Sequence, residues 1–363
     1  MSASIQIGKI MGIPIKLHIT FLLILPVFGY AFADNDPKFF CFNDVEPLSL
    51  RYALGMSAAL LLFACVLLHE LGHSYVAKKH GTKIQSITLF LFGGVASMEE
   101  IPRNPKIEFK MALAGPGVSL LIGSILIIIH EILKMDFSLN DPYLRLIWLI
   151  GLMNVVLCAF NLIPAFPMDG GRVLRAWLAG RISYIRATRA AAGIGKMFAI
   201  FMGIFGLFVP GGFWLILIAF FIYIGASEEE KSTEVSVLLE RVKIKDIMSK
   251  EVKTVNSGMS VEELVDIMFK FKHMGYPVVD YTEIKGIVTF KDVQKVPKEE
   301  RKNVRVSEIM TKKLISLHED EDAVSALKLM TINDIGRIII TRDKKMVGIV
   351  TRTDLLRSVQ LLE

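Results

Sequence analysis

The sequence predicts a polytopic α-helical membrane domain of about six spans, with a short β-hairpin, followed by a soluble α/β tandem pair. Three observations predict it. Up to residue 226, long runs without Lys, Arg, Asp or Glu alternate with short basic loops. At Glu228-Glu229-Glu230 the character turns charged. Beyond that point one motif set occurs twice, with Asp246-Ile247-Met248 and Glu308-Ile309-Met310 lying 62 residues apart.

Composition sharpens the division. The 363 residues are 53% apolar, and mean hydropathy is +0.50. Residues 227–363 hold 24 basic and 24 acidic side chains, so the net charge of +6 sits wholly in residues 1–226. Positive residues lying between apolar runs serve orientation in a bilayer and argue against nucleic acid as a partner. Cys41, Cys65 and Cys158 show no metal-knuckle or disulfide spacing. The N-terminus lacks a signal-peptide cleavage pattern, so the first apolar run is expected to be permanent.

A bilayer core needs about 20 apolar helical residues. The uncharged runs cover Leu17–Ala33, Tyr52–Leu68, Met111–Ile129, Leu146–Met168 and Met197–Ser227. Pro210-Gly211-Gly212 interrupts the last, which therefore reads as two spans beginning near Ala190. Orientation follows from the basic residues. Lys78, Lys79, Lys83, Arg103, Lys106 and Lys110, then Arg172, Arg175, Arg181, Arg186, Arg189 and Lys196, fill the loops of one side. The other side has only Lys38, Arg51, Lys134 and Arg145. The predicted location is the cell membrane, multi-pass, with both termini and the soluble pair in the cytoplasm. Ile84–Ser97, rich in Ile, Thr and Phe around Gly93-Gly94, predicts a hairpin buried against protein or lining a wet cavity.

His69-Glu70-Leu71-Gly72-His73 is the strongest chemical signal. Residues four apart share a helix face, so both imidazoles can reach one tetrahedral zinc, with Glu70 placed to take a proton from water. Three ionisable groups beside an apolar run are costly in hydrocarbon unless they pair or bind something. Nine residues from His69 to Lys78 put the imidazoles about 13 Å below the cytoplasmic interface. A catalytic zinc usually takes a third protein ligand. Asp169 is the candidate, in Asn161-Leu-Ile-Pro164-Ala-Phe-Pro167-Met-Asp169-Gly170-Gly171. The prolines and glycines break the helix there, which lets an aspartate turn inward; a solvated Asp169, or one paired with Arg172, is the other reading.

These two motifs, together with Ala112–Gly117 (ALAGPG) and Gly93-Gly94, resemble the site-2 protease family of intramembrane zinc metalloproteases over roughly residues 10–226. The resemblance implies that His69, His73 and Asp169 hold one Zn2+ per chain. It implies Glu70 as general base and acid, Asn161 as a group holding the substrate or the oxyanion, and a transmembrane protein as substrate. There is no room for the PDZ insertion that some members carry.

Residues 227–242 read as a linker and 243–363 as two copies, about 243–300 and 304–363. Each copy predicts an extended segment, an amphipathic helix (Val261–Phe271; Ala323–Ile332), two apolar strands and a closing helix. Gly286-Ile-Val-Thr289-x-x-Asp292 and Gly348-Ile-Val-Thr351-x-x-Asp354 resemble the cystathionine-β-synthase (CBS)-type domain. That resemblance implies an adenine nucleotide near Thr289, Asp292, Thr351 and Asp354, and a homodimer. Alternatively the same Thr and Asp residues cap the closing helices. The leading expectation is a zinc endopeptidase modulated by its CBS pair. The alternative is a CBS-regulated transporter or channel using the buried ionisable groups as an ion path.

Overall fold

A computed structural model describes residues 4–34, 41–90, 93–98, 103–135, 141–281, 283–343 and 345–362. Contacts divide the chain into Met1–Thr233 and Glu234–Glu363.

The first unit opens with strands β1 (Ser4–Ile10) and β2 (Ile13–His18), then helices α1 (Ile19–Asp34) and α2 (Leu48–Lys79). Strands β3 (Ile84–Phe90) and β4 (Gly93–Met98) precede α3 (Pro105–Leu133), α4 (Pro142–Asn161), α5 (Asp169–Ala179), α6 (Tyr184–Phe208) and α7 (Phe213–Leu239). Among the described residues α2, α3, α4 and α6 are long and apolar enough to cross a membrane. Helix α1 is apolar but has 16 residues, and α7 becomes charged from Glu228. Helices α3 and α4 start where their chemistry dictates. The Asn104 side chain accepts from Lys106 N at 3.0 Å and that of Asp141 from Tyr143 N at 2.8 Å, each before a proline at the first helical position.

The sheet corrects the sequence reading. Strands β3 and β4 pair antiparallel, but they form half of a four-stranded sheet in the order β1-β2-β3-β4, with β2 and β3 parallel. Ile13, Ile15 and Ile87 are buried together with Leu71 of α2. The apolar alternation in Ile13-Pro-Ile15-Lys runs directly into the uncharged run that follows, so strand and helix merge into one hydrophobic stretch in the sequence. Helix α1 accordingly begins at Ile19 rather than Leu17. Likewise α4 ends at Asn161, not Met168, and Leu162–Met168 forms an irregular bend containing Pro164 and Pro167. Residues 227–239 of the expected linker are helical turns of α7, and the division between the two units falls within them.

The second unit contains α8 (Ile244–Ile247), α9 (Val261–Phe271), β5 (Gly275–Asp280), β6 (Glu283–Thr289) and α10 (Phe290–Val293). The second copy supplies α11 (Val306–Ile309), β7 (Ser316–His318), α12 (Ala323–Ile332), β8 (Arg337–Arg342), β9 (Lys345–Thr351) and α13 (Arg352–Leu362). Each copy has its own core, one around Leu264, Met268 and Val288, the other around Ala326, Met330 and Val350. The copies exchange matching contacts. Ser249 bridges to Ile349, and Thr311 bridges to Ile287. A side chain at Gly286 would meet the Met310 sulfur at 2.8 Å, and one at Gly348 the Met248 sulfur at 2.8 Å. The repeated glycine is thus a seat for the other copy's methionine. The closing helices differ: α13 has 11 residues and α10 has 4, because Pro297 follows closely.

Candidate metal centre

His69 and His73 lie one turn apart on α2, both buried, and a residue 100 positions after His69 meets them. Asp169, the first residue of α5, places Oδ2 3.2 Å from His69 Nε2 and 3.1 Å from His73 Nε2. The two Nε2 atoms are 3.1 Å apart. The three donor atoms thus form a near-equilateral triangle. A tetrahedral zinc with ligands at about 2.0–2.1 Å has edges of about 3.3 Å, so the triangle has the size of one face of that tetrahedron. Among the described residues no other group of three or more His, Cys, Asp or Glu converges in this way.

Hydrogen bonding on the far side of the rings fixes what the donors can do. His73 Nδ1 is 2.7 Å from the Met111 carbonyl oxygen, which can only accept, so this nitrogen carries the proton. In the neutral ring that leaves Nε2 with a lone pair facing the Asp169 carboxylate. His69 Nδ1 is 2.9 Å from Ser119 Oγ. Ser119 Oγ can accept from His69 Nδ1, and that tautomer turns a second Nε2 lone pair to the same spot; two imidazole lone pairs and a carboxylate converging there suit a divalent metal.

Helix α3 supplies the space as well as the orienting groups. A side chain at Gly115 would lie 2.2 Å from His73 Nε2 and 2.6 Å from His69 Nε2. Gly72 lies against the Ala114 carbonyl, where an added Cβ would be 2.9 Å from the oxygen. The Ala-Gly-Pro-Gly stretch is therefore the wall against which the ligands sit. Glu70, between the two histidines, passes along β4: a Cβ at Gly94 would be 2.5 Å from Glu70 Cγ. Asn161 is not in the three-donor cluster; its Nδ2 donates to Leu157 O within α4 at 3.0 Å. His18 packs on Phe90, with ring centroids 5.0 Å apart, and binds Thr20 Oγ1 at 2.9 Å.

The repeated Thr and Asp of the second unit satisfy each other. Thr289 Oγ1 donates to Asp292 Oδ2 at 2.7 Å, and Thr351 Oγ1 to Asp354 Oδ2 at 2.7 Å. They are start-of-helix caps. Thr289 and Asp292 nonetheless line a cleft of 590 Å³ that also exposes Lys291, Lys313, Arg337 and Arg352. Thr351 and Asp354 are not among its lining residues. Burial pushes the Arg337 guanidinium below its usual range. Its hydrogen bond among the described residues is to the Gly275 carbonyl, at 2.5 Å.

A bundle of membrane-length helices around a three-donor centre, followed by a repeated α/β pair, defines the class: a membrane metalloprotein with an appended tandem domain. The chain matches Peptidase family M50 over residues 57–137 and 129–202, and the CBS domain over residues 244–299 and 306–361. A zinc metalloprotease of Methanocaldococcus jannaschii is 40% identical over 364 residues, spanning 100% of this chain and 98% of that one. Stage IV sporulation protein FB of Bacillus subtilis is 30% identical over 158 residues, 42% of this chain and 51% of that one. The solved Site-2 Protease from Methanocaldococcus jannaschii has 44% identity and a TM-score of 0.46, covering 62% of this chain and 95% of that one. The chain belongs to peptidase family M50, the site-2 proteases, and carries a tandem CBS pair.

Proposed function

We propose that the chain is a zinc-dependent intramembrane endopeptidase that hydrolyses peptide bonds of transmembrane proteins. The carrying observation is the donor triangle built by His69, His73 and Asp169. His69 and His73 would hold the ion through Nε2 and Asp169 through Oδ2, one ion per chain. Bound there, zinc would supply Lewis acidity, polarising a peptide carbonyl and making water acidic near neutral pH. The Glu70 carboxylate takes the proton from water and returns it to the departing amine. Asn161 has a second amide hydrogen for a substrate carbonyl, since Nδ2 uses one on Leu157. A transport role leaves a zinc-sized triangle and an oriented Glu70 without purpose.

A transmembrane helix hides its peptide groups in its own hydrogen bonds, so the substrate has to unwind before it can be cut. Strand β4 is one of the two outer strands of its sheet among the described residues, and its backbone at Gly94 lies against the Glu70 side chain. An extended substrate segment added to that edge would present its carbonyls beside the base. Val95→Pro and Ala96→Pro test this: amides alternate in direction along a strand, so one of the two removes an outward donor and should slow cleavage of a membrane substrate.

Helices α2, α3, α4 and α6, with the apolar α1 and the apolar start of α7, would make about six spans, and the Lys and Arg asymmetry of the loops supports both termini and the CBS pair in the cytoplasm. For the CBS pair, a half-buried Arg337 with no carboxylate partner among the described residues, beside further cations, supports an adenine nucleotide in the 590 Å³ cleft. Millimolar ATP or AMP should then raise the melting temperature of this unit, and no shift would leave it a scaffolding or homodimer-forming role. The deciding experiment for the enzyme is metal analysis joined to Glu70→Gln. One zinc per chain should persist while hydrolysis falls by about 10²–10⁴-fold. Unchanged hydrolysis, or a chain that holds no metal, would overturn the reading.

A further inference from the structure

Arg175 of α5 is 1% exposed, yet its whole guanidinium is engaged. Nε donates to Glu108 Oε1 of α3 at 2.6 Å, and Nη2 lies 2.6 Å from the same oxygen. Nη1 donates to Glu229 Oε1 of α7 at 2.8 Å and to Thr233 Oγ1 at 3.4 Å. The guanidinium also faces the rings of Phe166 and Tyr184, with centroids at 4.8 and 4.9 Å. Phe166 belongs to the bend that leads the chain into Asp169, and Tyr184 opens α6. One side chain thus grips α3, α7, the bend and the start of α6.

The gripped elements carry different parts of the metal centre. Helix α3 holds the groups that orient the imidazoles. The Met111 carbonyl oxygen, three residues after Glu108, lies 2.7 Å from His73 Nδ1, and Ser119 Oγ lies 2.9 Å from His69 Nδ1. Helix α5 holds the carboxylate: Asp169 is its first residue, and Arg175 follows six residues on, about 9 Å along the axis. With 11 residues α5 is too short to hold a position by its own hydrogen bonds, so its contacts set where Asp169 stands. A buried ion pair gains little stability over packed apolar side chains of similar volume, whereas its directional bonds fix geometry.

We infer that Arg175 is a positioning residue of the metal centre. Its bonds to Glu108 and its stacking on Phe166 lock the Asp169 carboxylate to the helix that orients His69 and His73. The inference rests on the proposed metal centre, and Arg175 acts on it through the backbone of α5 and through the bend.

The test is the affinity of the full chain for Zn2+ by chelator competition and for Co2+ by its tetrahedral absorption, read beside the thermal transition. The deciding variant is Arg175→Met with Glu108→Met, which removes the bonded charges and fills their space with apolar side chains. Its thermal transition should stay near that of wild type, since the remaining partner, Glu229, is 27% exposed and can take water. Its metal affinity should fall by about tenfold or more, as loss of an outer partner does. A merely structural role predicts that stability and affinity recover together, so near-wild-type affinity in this variant overturns the inference. Lys196→Met with Glu230→Met is the control. It removes an equally close pair, 2.6 Å, between α6 and α7, and should change affinity by less than about twofold. A tenfold loss there would mean that the whole bundle loosens, and it too overturns the inference. If the Arg175 double variant does not fold, or melts far below wild type, Arg175→Lys decides. An ammonium has neither the fork nor the planar face, so affinity should drop and the Co2+ band should change; a wild-type band and affinity overturn the inference. A wild-type chain that binds neither ion would instead defeat the metal-centre reading.

Discussion

The two units use the same raw material, a few polar residues in short motifs, to opposite ends. In the first, His69, His73 and Asp169 come from α2 and α5, 100 residues apart in sequence, and meet within hydrogen-bond distance. In the second, Thr289 meets Asp292 and Thr351 meets Asp354, three residues apart, and each pair closes on itself. A convergence that needs distant segments is expensive to arrange and points to chemistry. A pairing within one helical turn is what a helix start requires anyway. Motif strength alone does not separate the cases; sequence distance between the partners does.

The sharpest way to break that contrast is Gly115→Ala. A methyl 2.2 Å from His73 Nε2 on rigid helix backbone has to displace the ligands, so bound zinc should fall by about 100-fold or become undetectable by metal analysis. Normal zinc content would mean that α3 does not wall the site. Next comes Ser119→Ala, which removes the partner of His69 Nδ1 without adding bulk. Its zinc dissociation constant should rise by about tenfold with the thermal transition little changed. In the second unit the effects are local. Thr351→Ala should cost about 1 kcal/mol, seen as faster hydrogen exchange in β8 and β9, and should leave zinc content untouched. A zinc loss in that variant would contradict the division drawn here.

The smallest expected effect concerns pH. Hydrogen bonds from Arg342 hold the Glu319 carboxyl below its usual range. A depressed folded-state value means that the stabilisation is complete above the ordinary carboxylate range, about pH 4.3, and disappears as pH falls through the lower folded value. The second unit should therefore lose protection on acidification from about pH 5, less steeply in Arg342→Met than in wild type. Identical acid profiles for the two proteins would remove this pair from the account.

Much of this was legible before any coordinates. Helical period and the His-x-x-x-His spacing are local properties, so the placing of His69 and His73 on one face of α2 could be read directly. Asp169 was readable because Pro164, Pro167, Gly170 and Gly171 announce a break in an otherwise spanning helix. Strands β1 and β2 were not legible. The buried isoleucines of β2 adjoin an apolar helix, where hydropathy cannot tell a strand from the start of a span, and β1 leaves Ile5, Ile7 and Ile10 exposed. Ser119 and the Met111 carbonyl were hidden for a different reason. One is an ordinary serine in an apolar helix and the other a backbone atom, and neither carries a signature until α3 is laid against α2. The run Glu228-Glu229-Glu230 was legible as a change of composition but not as a set of ion pairs, because Arg175 and Lys196 lie 54 and 34 residues upstream of their partners.

The distance between His69 and Asp169 along the chain also has a bearing on biogenesis. A ribosome that has delivered α2 and α3 to the membrane has made only two of the three donors, and the third follows two further segments later. In the proposed metal centre, a nascent chain in that condition would lack a complete ligand set and could not cut its neighbours or itself. Ordering the donors this way would delay hydrolytic competence until α5 has been made.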